Sequence, residues 1–212
     1  MSKLNLKDVT LFCIDDIAPA KALKTLESVT LNIEFGDVKL FSSTEKDINS
    51  LTRIDKSINS LHDYSVFAVQ ELHKYIDTEF AMCVQRDGYP INLEAWTDDF
   101  LKFDYIGAPW TWVPSTHRES DCPVGRCVGN GGFSIRSKRL MREAAQFPCE
   151  KDMNEDIFIC RKIPSELEAK GIRFAPVELA TFFSVENEMY TGQFGFHGRK
   201  TLELNKKLGI FG

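Results

Sequence analysis

A chain of 212 residues can form one large domain or two small ones, and its 43% hydrophobic residues can fill a sizeable core. The formal net charge of −5, with Lys and Arg spread along the chain, argues against a protein that holds nucleic acid. No apolar stretch reaches about 18 residues, so we expect no transmembrane segment. The amino terminus lacks the pattern of a secretory leader, and we expect a cytoplasmic protein.

The first half of the chain predicts strands that alternate with helices. Residues 9–15 (VTLFCID) begin with a continuous apolar run that is followed by two acids, Asp15 and Asp16, as expected of a strand buried on both faces. The next predicted elements are a helix at 18–29, a strand at 37–43, a helix at 63–76 that Asp63 can cap, and a strand at 79–85. This order predicts an α/β fold with a central, mostly parallel twisted sheet flanked by helices.

The second half has a different composition. Residues 94–114 are rich in aromatic residues and Pro, and residues 124–137 are rich in Gly. The predicted elements here are a short helix at 137–147, a helix with a Pro break at 154–171, and one or two strands at 172–186. Because no linker separates the halves, we expect a single domain over 1–212, in which a mixed half (about 89–212) closes over a parallel half (about 1–88).

The six cysteines are interpreted as reduced structural thiols. Cys13 and Cys83 lie in predicted strands, and Cys160 lies in a predicted helix. Cys122 and Cys127 have a spacing that fits no standard zinc site.

Acidic residues follow the predicted strands of the parallel half. Asp15, Asp16, the segment 42–45 (SSTE) and the segment 85–87 (QRD) all come after strands. Ligands of such sheets bind at the carboxyl ends of the strands, so these segments are expected on the ligand-binding rim. Residues 77–79 (DTE) resemble a metal-binding motif but precede their strand, which places them on the opposite rim.

Asp87 and His197 each have two interpretations. Asp87 is either the solvated acid of an Asp-Gly turn or an oxygen ligand for a divalent cation that bridges a nucleotide diphosphate. His197, in FGFHG, is either a loop residue or the neutral imidazole that completes a Mn²⁺ site with Asp87. Arg199 and Lys200 next to it could offset diphosphate charge.

Two further segments are ambiguous in the same way. Residues 128–140 (VGNGGFSIRSKRL) match neither a P-loop nor a dinucleotide fingerprint. They form either a tight turn before a strand or a platform where backbone amides and Asn130 meet a sugar's hydroxyl groups. Glu155 and Asp156 either cap a helix or provide a base that deprotonates an acceptor hydroxyl.

Aromatic residues are concentrated early in the mixed half. We expect most of them in the core and one or two as an apolar platform for a sugar ring. These residues are Tyr89, Trp96, Tyr105, Trp110 and Trp112.

Taken in order, the motifs at 84–89, 95–110, 128–137, 154–160 and 174–197 resemble a small family of nucleotide-sugar-dependent glycosyltransferases of the GT-A fold. The resemblance covers roughly residues 60–198, and the first 60 residues match only in strand pattern. It extends to the amino-terminal domain of a longer viral protein, which leaves open further domains and a host-cell cytoplasm as the location.

The resemblance implies a GT-A-like domain with a nucleotide-binding half (about 1–88) and a sugar and acceptor half (about 89–212). It implies that Mn²⁺ or Mg²⁺ is bound by Asp87, at the second acid of the Asp-x-Asp motif, and by His197. Gln85 stands in the place of the first acid, which removes one charged ligand. Ile14, Asp15, Ser42 and Tyr64 would surround the base and ribose.

The remaining implied site residues belong to the sugar and acceptor half. Asn130, Gly131 and Gly132 match the turn that contacts the donor and acceptor sugars. Glu155 and Asp156 match the acidic pair that supplies the base in inverting members. Lys200 is expected at the donor's phosphates.

The implied activity is transfer of a hexosyl or deoxyhexosyl group from a UDP-sugar to a hydroxyl of a glycan acceptor. The stereochemical outcome stays open. A nucleotidyltransferase that makes a nucleotide-sugar, and a non-catalytic sugar-binding module, are the alternatives.

Overall fold

The computed structural model describes residues 3–44, 50–110, 128–150 and 153–209. The strands are β1 (Leu4–Ile14), β2 (Ile33–Ser42), β3 (Leu51–Arg53), β4 (Phe80–Cys83), β5 (Gly88–Pro90), β6 (Tyr105–Gly107), β7 (Ser134–Ser137), β8 (Ser184–Glu186) and β9 (Gly195–His197). The α-helices are α1 (Pro19–Thr30), α2 (Leu61–Val66), α3 (Lys138–Ala144), α4 (Glu155–Ile157), α5 (Pro164–Ala169), α6 (Val177–Phe183) and α7 (Arg199–Lys207).

The main sheet has six strands in the order β3-β2-β1-β4-β7-β6. The first four strands of that order are mutually parallel, while β7 runs antiparallel to both of its neighbours. Strands from the second half of the chain form a smaller sheet in the order β5-β9-β8. The predicted α/β fold with a mostly parallel central sheet is therefore confirmed.

Strand β1 is buried on both faces, as its continuous apolar run predicts. Leu11 and Cys13 pack into the core that contains α1 and the aromatic residues of the second half. Phe12 and Ile14 point to the other face and pack with residues of the 61–76 helical segment. Burying apolar side chains on both faces fixes β1 at the centre of the domain, and its carboxyl end opens onto the site described below.

The predicted helix at 63–76 begins two residues earlier, at Leu61, and changes its geometry along its length. Ser60, not Asp63, is the N-cap: its hydroxyl oxygen accepts a hydrogen bond from the Asp63 N–H. The Asp63 carboxylate accepts in return from the Ser60 hydroxyl, which resembles a capping box. A π-helical turn (Phe67–Glu71) and a 3₁₀ turn (Leu72–Lys74) continue the segment.

The prediction of one or two strands at 172–186 is wrong for most of its length. Residues Val177–Phe183 form α6, and only Ser184–Glu186 form a strand. Pro176 precedes the helix, and Ala180 and Phe183 are buried at helical spacing. The apolar run is therefore the buried face of a helix. The prediction failed because an apolar run this short is compatible with the repeat of a helix and with that of a strand.

The four cysteines in the described ranges are free thiols, and Cys13, Cys83 and Cys160 are buried. Burial raises the pKa of Cys83 to about 12 and raises those of Cys13 and Cys160 well above the usual value. These thiols are consequently protonated and packed, as the sequence predicts. Cys122 and Cys127 lie outside the described residues.

No helix in the described ranges combines the length and the apolar character that a membrane crossing would need.

Candidate functional site

A cavity of about 500 Å³ lies at the carboxyl ends of β1 and β4, on the rim predicted from strand polarity. One wall, the β1-exit wall, consists of residues that follow β1 and residues 58–64. The opposite wall, the β4-exit wall, consists of the turn after β4 with Gly132, Glu155, Asp156 and His197. Residues 77–79 lie at the other end of the strands, beside a separate cleft, as predicted.

Asp16 builds the β1-exit wall by tying three segments together. Its carboxylate accepts hydrogen bonds from the Ser42 hydroxyl (2.5 Å), the Ser43 N–H (2.6 Å) and the Ile58 N–H (2.6 Å). Burial opposes ionisation, but these hydrogen bonds together lower the pKa of Asp16. The segment 58–61 is thereby held against the end of β1, where Ile17 and Leu61 present exposed apolar side chains to the cavity.

A tight turn after β4 carries the central residues of the β4-exit wall. The Gln85 N–H donates to the Gly88 carbonyl (2.8 Å), and the Gly88 N–H donates to the Gln85 carbonyl (3.1 Å). Arg86 and Asp87 occupy the two middle positions, and both line the cavity. The turn continues directly into β5, so its position is fixed by the smaller sheet.

The smaller sheet brings His197 to this turn. Gly88 of β5 is opposite His197 of β9, and Glu186 of β8 lies on the other side of His197 in the parallel register. His197 Nδ1 is 3.1 Å from Glu186 Oε1, and His197 Nε2 is 3.2 Å from Gln85 Oε1. Burial alone would lower the pKa of His197, but Glu186, with smaller contributions from Asp87 and Asp156, raises it.

The space around His197 Nε2 is reserved by glycines. A Cβ at Gly132 would lie 2.0 Å from this nitrogen, and a Cβ at Gly88 would lie 2.5 Å from the imidazole Cδ2. Only a residue without a side chain fits at either position. The imidazole lies against these two glycines, and its Nε2 faces Gln85 of the turn after β4.

These donors fit a divalent cation of the Mn²⁺ or Mg²⁺ type. Carboxylate and amide oxygens suit hard cations, and imidazole extends the set to Mn²⁺. Within the described ranges, no three His, Cys, Asp or Glu side chains are grouped closely enough to hold a metal by themselves. A cation held by Asp87 and His197 would therefore need further ligands from a bound molecule with its own oxygen atoms.

Glu155 and Asp156 are adjacent in sequence but contact different groups. Glu155 is buried, and its carboxylate lies 2.9 Å from the guanidinium of Arg136, whose side chain is also buried. Burial and the charge of Asp156 raise the pKa of Glu155, although Arg136 opposes that shift. Asp156 lines the cavity, and its Oδ2 accepts a hydrogen bond from the Gly131 N–H (2.9 Å).

Both backbone polar groups of Gly131 are hydrogen-bonded. Asp156 binds its N–H, and Arg136 Nη2 donates to its carbonyl oxygen at 3.3 Å. A Cβ at Gly131 would lie 1.8 Å from Glu155 Oε1, so the buried ion pair requires glycine here. Next to it, Asn130 is 2% exposed with φ of +63°, and neither polar atom of its side chain has a hydrogen-bond partner.

The cavity brings together most of the site residues predicted from the sequence. Those that line it are Ile14, Asp15, Tyr64, Gln85, Asp87, Gly132, Glu155, Asp156 and His197. Ser42 is buried behind Asp16, while Asn130 and Gly131 are buried next to the lining. Lys200 is exposed on α7 and is not among the residues that line the cavity.

The predicted aromatic platform for a sugar is not found in this cavity among the described residues. Tyr105 and Trp110 are buried, and Tyr89 and Trp96 pack against the core. Trp110 also stacks under the guanidinium of Arg161 at 4.3 Å. Trp112 lies outside the described residues.

Sequence reasoning placed Asp16 on the rim but missed three pairings at the site: Asp16 with Ser42, Glu155 with Arg136, and His197 with Glu186. The position of Asp16 directly after a strand was a usable signal. Arg136 and Glu186 gave none, because each reaches its partner only through long-range packing or strand register.

Three solved structures are similar at low identity. Mannosyltransferase PcManGT from Pyrobaculum calidifontis, in complex with GDP-Man and Mn²⁺, shares 11% identity over 79% of this chain and 53% of that chain (TM-score 0.46). This chain thus spans about half the length of that protein. A197 from STIV shares 13% over 78% and 79% (TM-score 0.42), and galactosyltransferase LgtC, in complex with donor and acceptor sugar analogues, shares 14% over 90% and 87% (TM-score 0.49).

No curated protein matches the chain. A family model described as "Protein of unknown function (DUF5672)" matches residues 48–197, which is most of the chain and includes the turn after β4 and His197. The protein belongs to the DUF5672 family.

Proposed function

We propose that the protein is a metal-dependent glycosyltransferase that moves a hexosyl or deoxyhexosyl group from a UDP-sugar to a hydroxyl of a glycan acceptor. The observation that carries this proposal is one cavity with two chemically different walls. The β1-exit wall offers the apolar side chains of Ile17 and Leu61 beside Asp15 and Asp16, whose carboxylates are already engaged by protein donors, and this surface suits a nucleoside. The β4-exit wall offers Asp87, His197 and Asp156, which suit a metal-bound diphosphate and a reacting sugar.

The charge of the cavity supports the need for a cation. Among the described residues, five carboxylate side chains line it, against a single Arg: Asp15, Asp16, Asp87, Glu155, Asp156 and Arg86. Ion pairs neutralise Asp15 and Glu155, but the remaining acids would repel a nucleoside diphosphate. A divalent cation would remove this repulsion; Asp87 and His197 are the residues that would hold it, and one or two protein ligands suffice when phosphate oxygens supply the others.

When bound, the cation supplies Lewis-acid stabilisation of the departing diphosphate. Glu186 accepts a hydrogen bond from the Nδ1–H of His197, which orients the imidazole. The Gln85 amide donates to the Tyr64 hydroxyl and turns its oxygen, Oε1, toward His197 Nε2. To bind a cation, Nε2 would give up this contact with Gln85 Oε1 and offer its lone pair instead.

Asp156 is the better candidate for the carboxylate that acts on the sugars. Glu155 is engaged by Arg136, whereas Asp156 reaches the cavity and is oriented by the Gly131 N–H. In an inverting reaction Asp156 would take the proton of the acceptor hydroxyl as that oxygen attacks the anomeric carbon. In a retaining reaction it would orient the donor sugar. The unpartnered amide of Asn130, adjacent to this turn, is suited to sugar hydroxyl groups.

A thermal-shift panel of UDP-sugars and GDP-mannose, each with and without Mn²⁺, tests the proposal. Binding at about 100 times Kd raises the unfolding free energy by about 2.7 kcal/mol, so the preferred donor should stand out, and only with Mn²⁺. Hydrolysis of that donor should then fall by about a hundredfold or more in Asp156→Asn, with donor binding retained.

Other outcomes would overturn the proposal. Stabilisation by free glycans but by no nucleotide would indicate a sugar-binding module. Release of pyrophosphate from UTP and a sugar 1-phosphate would indicate a nucleotidyltransferase.

A further inference from the structure

Arg86 is the only Lys or Arg among the described residues that line the cavity. It sits at a middle position of the tight turn after β4, directly before Asp87. Because the other charged lining residues are acids or His197, this guanidinium is the one fixed positive charge that the described part of the chain presents to an anion bound there.

Asp15 holds Arg86 in place. Arg86 Nε donates to Asp15 Oδ2 at 2.9 Å. The other carboxylate oxygen of Asp15 accepts from the Ile17 N–H (2.9 Å) and the Ala18 N–H (2.7 Å), so the carboxylate itself is anchored to the start of α1. The Asp15 side chain is only 10% exposed, which makes it a rigid support.

This ion pair uses only one of the five N–H groups of the guanidinium. In the described part of the chain, the two terminal nitrogens of Arg86 have no hydrogen-bond partner, and the side chain is 43% exposed. The four remaining N–H groups form a planar fork, the geometry that matches two oxygens of a phosphate. An ion pair with Asp15 that served only the fold would not require Arg86 to line the cavity.

We propose that Arg86 binds the diphosphate of the donor through its terminal nitrogens, and that Asp15 is a positioning residue that aims it. This inference rests on the proposed function. It assigns the binding of the phosphates to Arg86, in the turn that also carries Asp87, and not to Lys200, which is exposed on α7. The guanidinium of Arg86 and the proposed metal ligand, Asp87, thus come from consecutive residues of one turn.

Calorimetry with UDP and uridine, in the presence of Mn²⁺, tests this role. Charge-assisted hydrogen bonds to phosphate are lost in Arg86→Gln, so its affinity for UDP should fall about tenfold or more while its affinity for uridine is unchanged. Arg86→Lys keeps the charge but not the fork, and its affinity should be intermediate. Lys24→Gln, which removes an exposed charge on α1, is the matched control.

A double-mutant cycle separates positioning by Asp15 from general damage. Asp15→Asn should weaken UDP binding in the parent chain but have no further effect in the Arg86→Gln background. An equal loss in both backgrounds, or an equal loss of uridine binding, would show that Asp15 acts only on the fold. The melting temperature of each variant without ligand is measured alongside.

The failure of this inference is distinguishable from the failure of the proposed function. If the parent chain binds UDP with Mn²⁺ and Arg86→Gln binds it equally well, the role of Arg86 is wrong and the glycosyltransferase proposal stands. If the parent chain binds neither UDP nor uridine, both are overturned.

Discussion

The two ends of the parallel strands both carry acids, but they differ in how those acids are held. At the amino ends, Asp77 has a 94% exposed side chain and a long, 3.7 Å contact to Lys138, beside a cleft of about 320 Å³. At the carboxyl ends, Asp16 accepts hydrogen bonds from two serine hydroxyls and two backbone amides, and Asp87 is fixed by a turn locked into the smaller sheet. By motif alone, residues 77–79 look more like a metal site than residues 85–87.

The difference shows that local motif strength is a poor guide and that the second half of the chain decides which rim becomes a site. His197, Gly132 and Asp156 all come from that half and reach only the carboxyl rim. Strand direction therefore selects the rim, and the smaller sheet completes it.

The largest expected effect concerns the buried ion pair under the carboxyl rim. Glu155→Gln leaves the charge of Arg136 buried without a partner, and such changes cost about 3 to 5 kcal/mol. Asp77→Asn breaks the exposed pair of the opposite rim and should cost about 0.5 kcal/mol or less. Urea denaturation of both variants measures the two losses of unfolding free energy. Losses of similar size would contradict the difference between the two rims.

The next effect concerns metal binding at the two rims. Asp87→Asn should weaken Mn²⁺-dependent binding of UDP by about a hundredfold, equal to about 2.7 kcal/mol, because it removes a charged ligand. Asp77→Asn should leave that binding unchanged. Titration of UDP with and without Mn²⁺ provides the measurement, and the opposite pattern would assign the metal to residues 77–79.

A smaller effect is expected at Glu186, which supports His197 without lining the cavity. Glu186→Ala should lower the affinity for Mn²⁺ in the presence of UDP by about tenfold, because the imidazole loses its orienting carboxylate. Glu203→Ala, an exposed acid on α7, is the control. Nitrogen chemical shifts of His197 should report the change in proton position, and an unchanged spectrum with unchanged affinity would contradict this role.

The smallest effect concerns the pH dependence of Asp16. Hydrogen bonds lower its folded-state pKa, so its carboxylate stabilises the fold above the usual aspartate pKa of about 3.9, and this contribution is lost as the pH falls through the lowered value. Asp16→Asn should cost about 1 kcal/mol at pH 7, and the difference from the parent chain should shrink below about pH 4. Urea midpoints across this range test it, and a gap that widens in acid would contradict it.

The alternation of strands and helices was enough to predict the parallel sheet and the rim on which Asp87 lies. This worked because β1 is buried on both faces, so its apolar run is unambiguous, and because parallel strands share one carboxyl edge. Prediction failed where a short apolar run fits two periods, as at Val177–Phe183.

The candidate site was predictable in its composition but not in its pairings. Glu155 and Asp156 look equivalent in sequence, and only burial beside Arg136 separates them. Lys200 follows His197 closely in sequence, yet α7 carries it away from the cavity, while Arg86 is brought to it by the turn. Register between β8 and β9 pairs Glu186 with His197, which no local pattern encodes.

The hydrogen bond between Gln85 and His197 joins residues that are 112 positions apart. A ligand that binds across this contact holds the end of the parallel half to the last strand of the chain, so its binding energy also opposes local opening of that strand. Amide hydrogen exchange in β9 should therefore slow when UDP and Mn²⁺ are added, while the far edge strand β3 changes little. Occupancy of the site by the donor would then set the free energy needed to open β9 away from the parallel half.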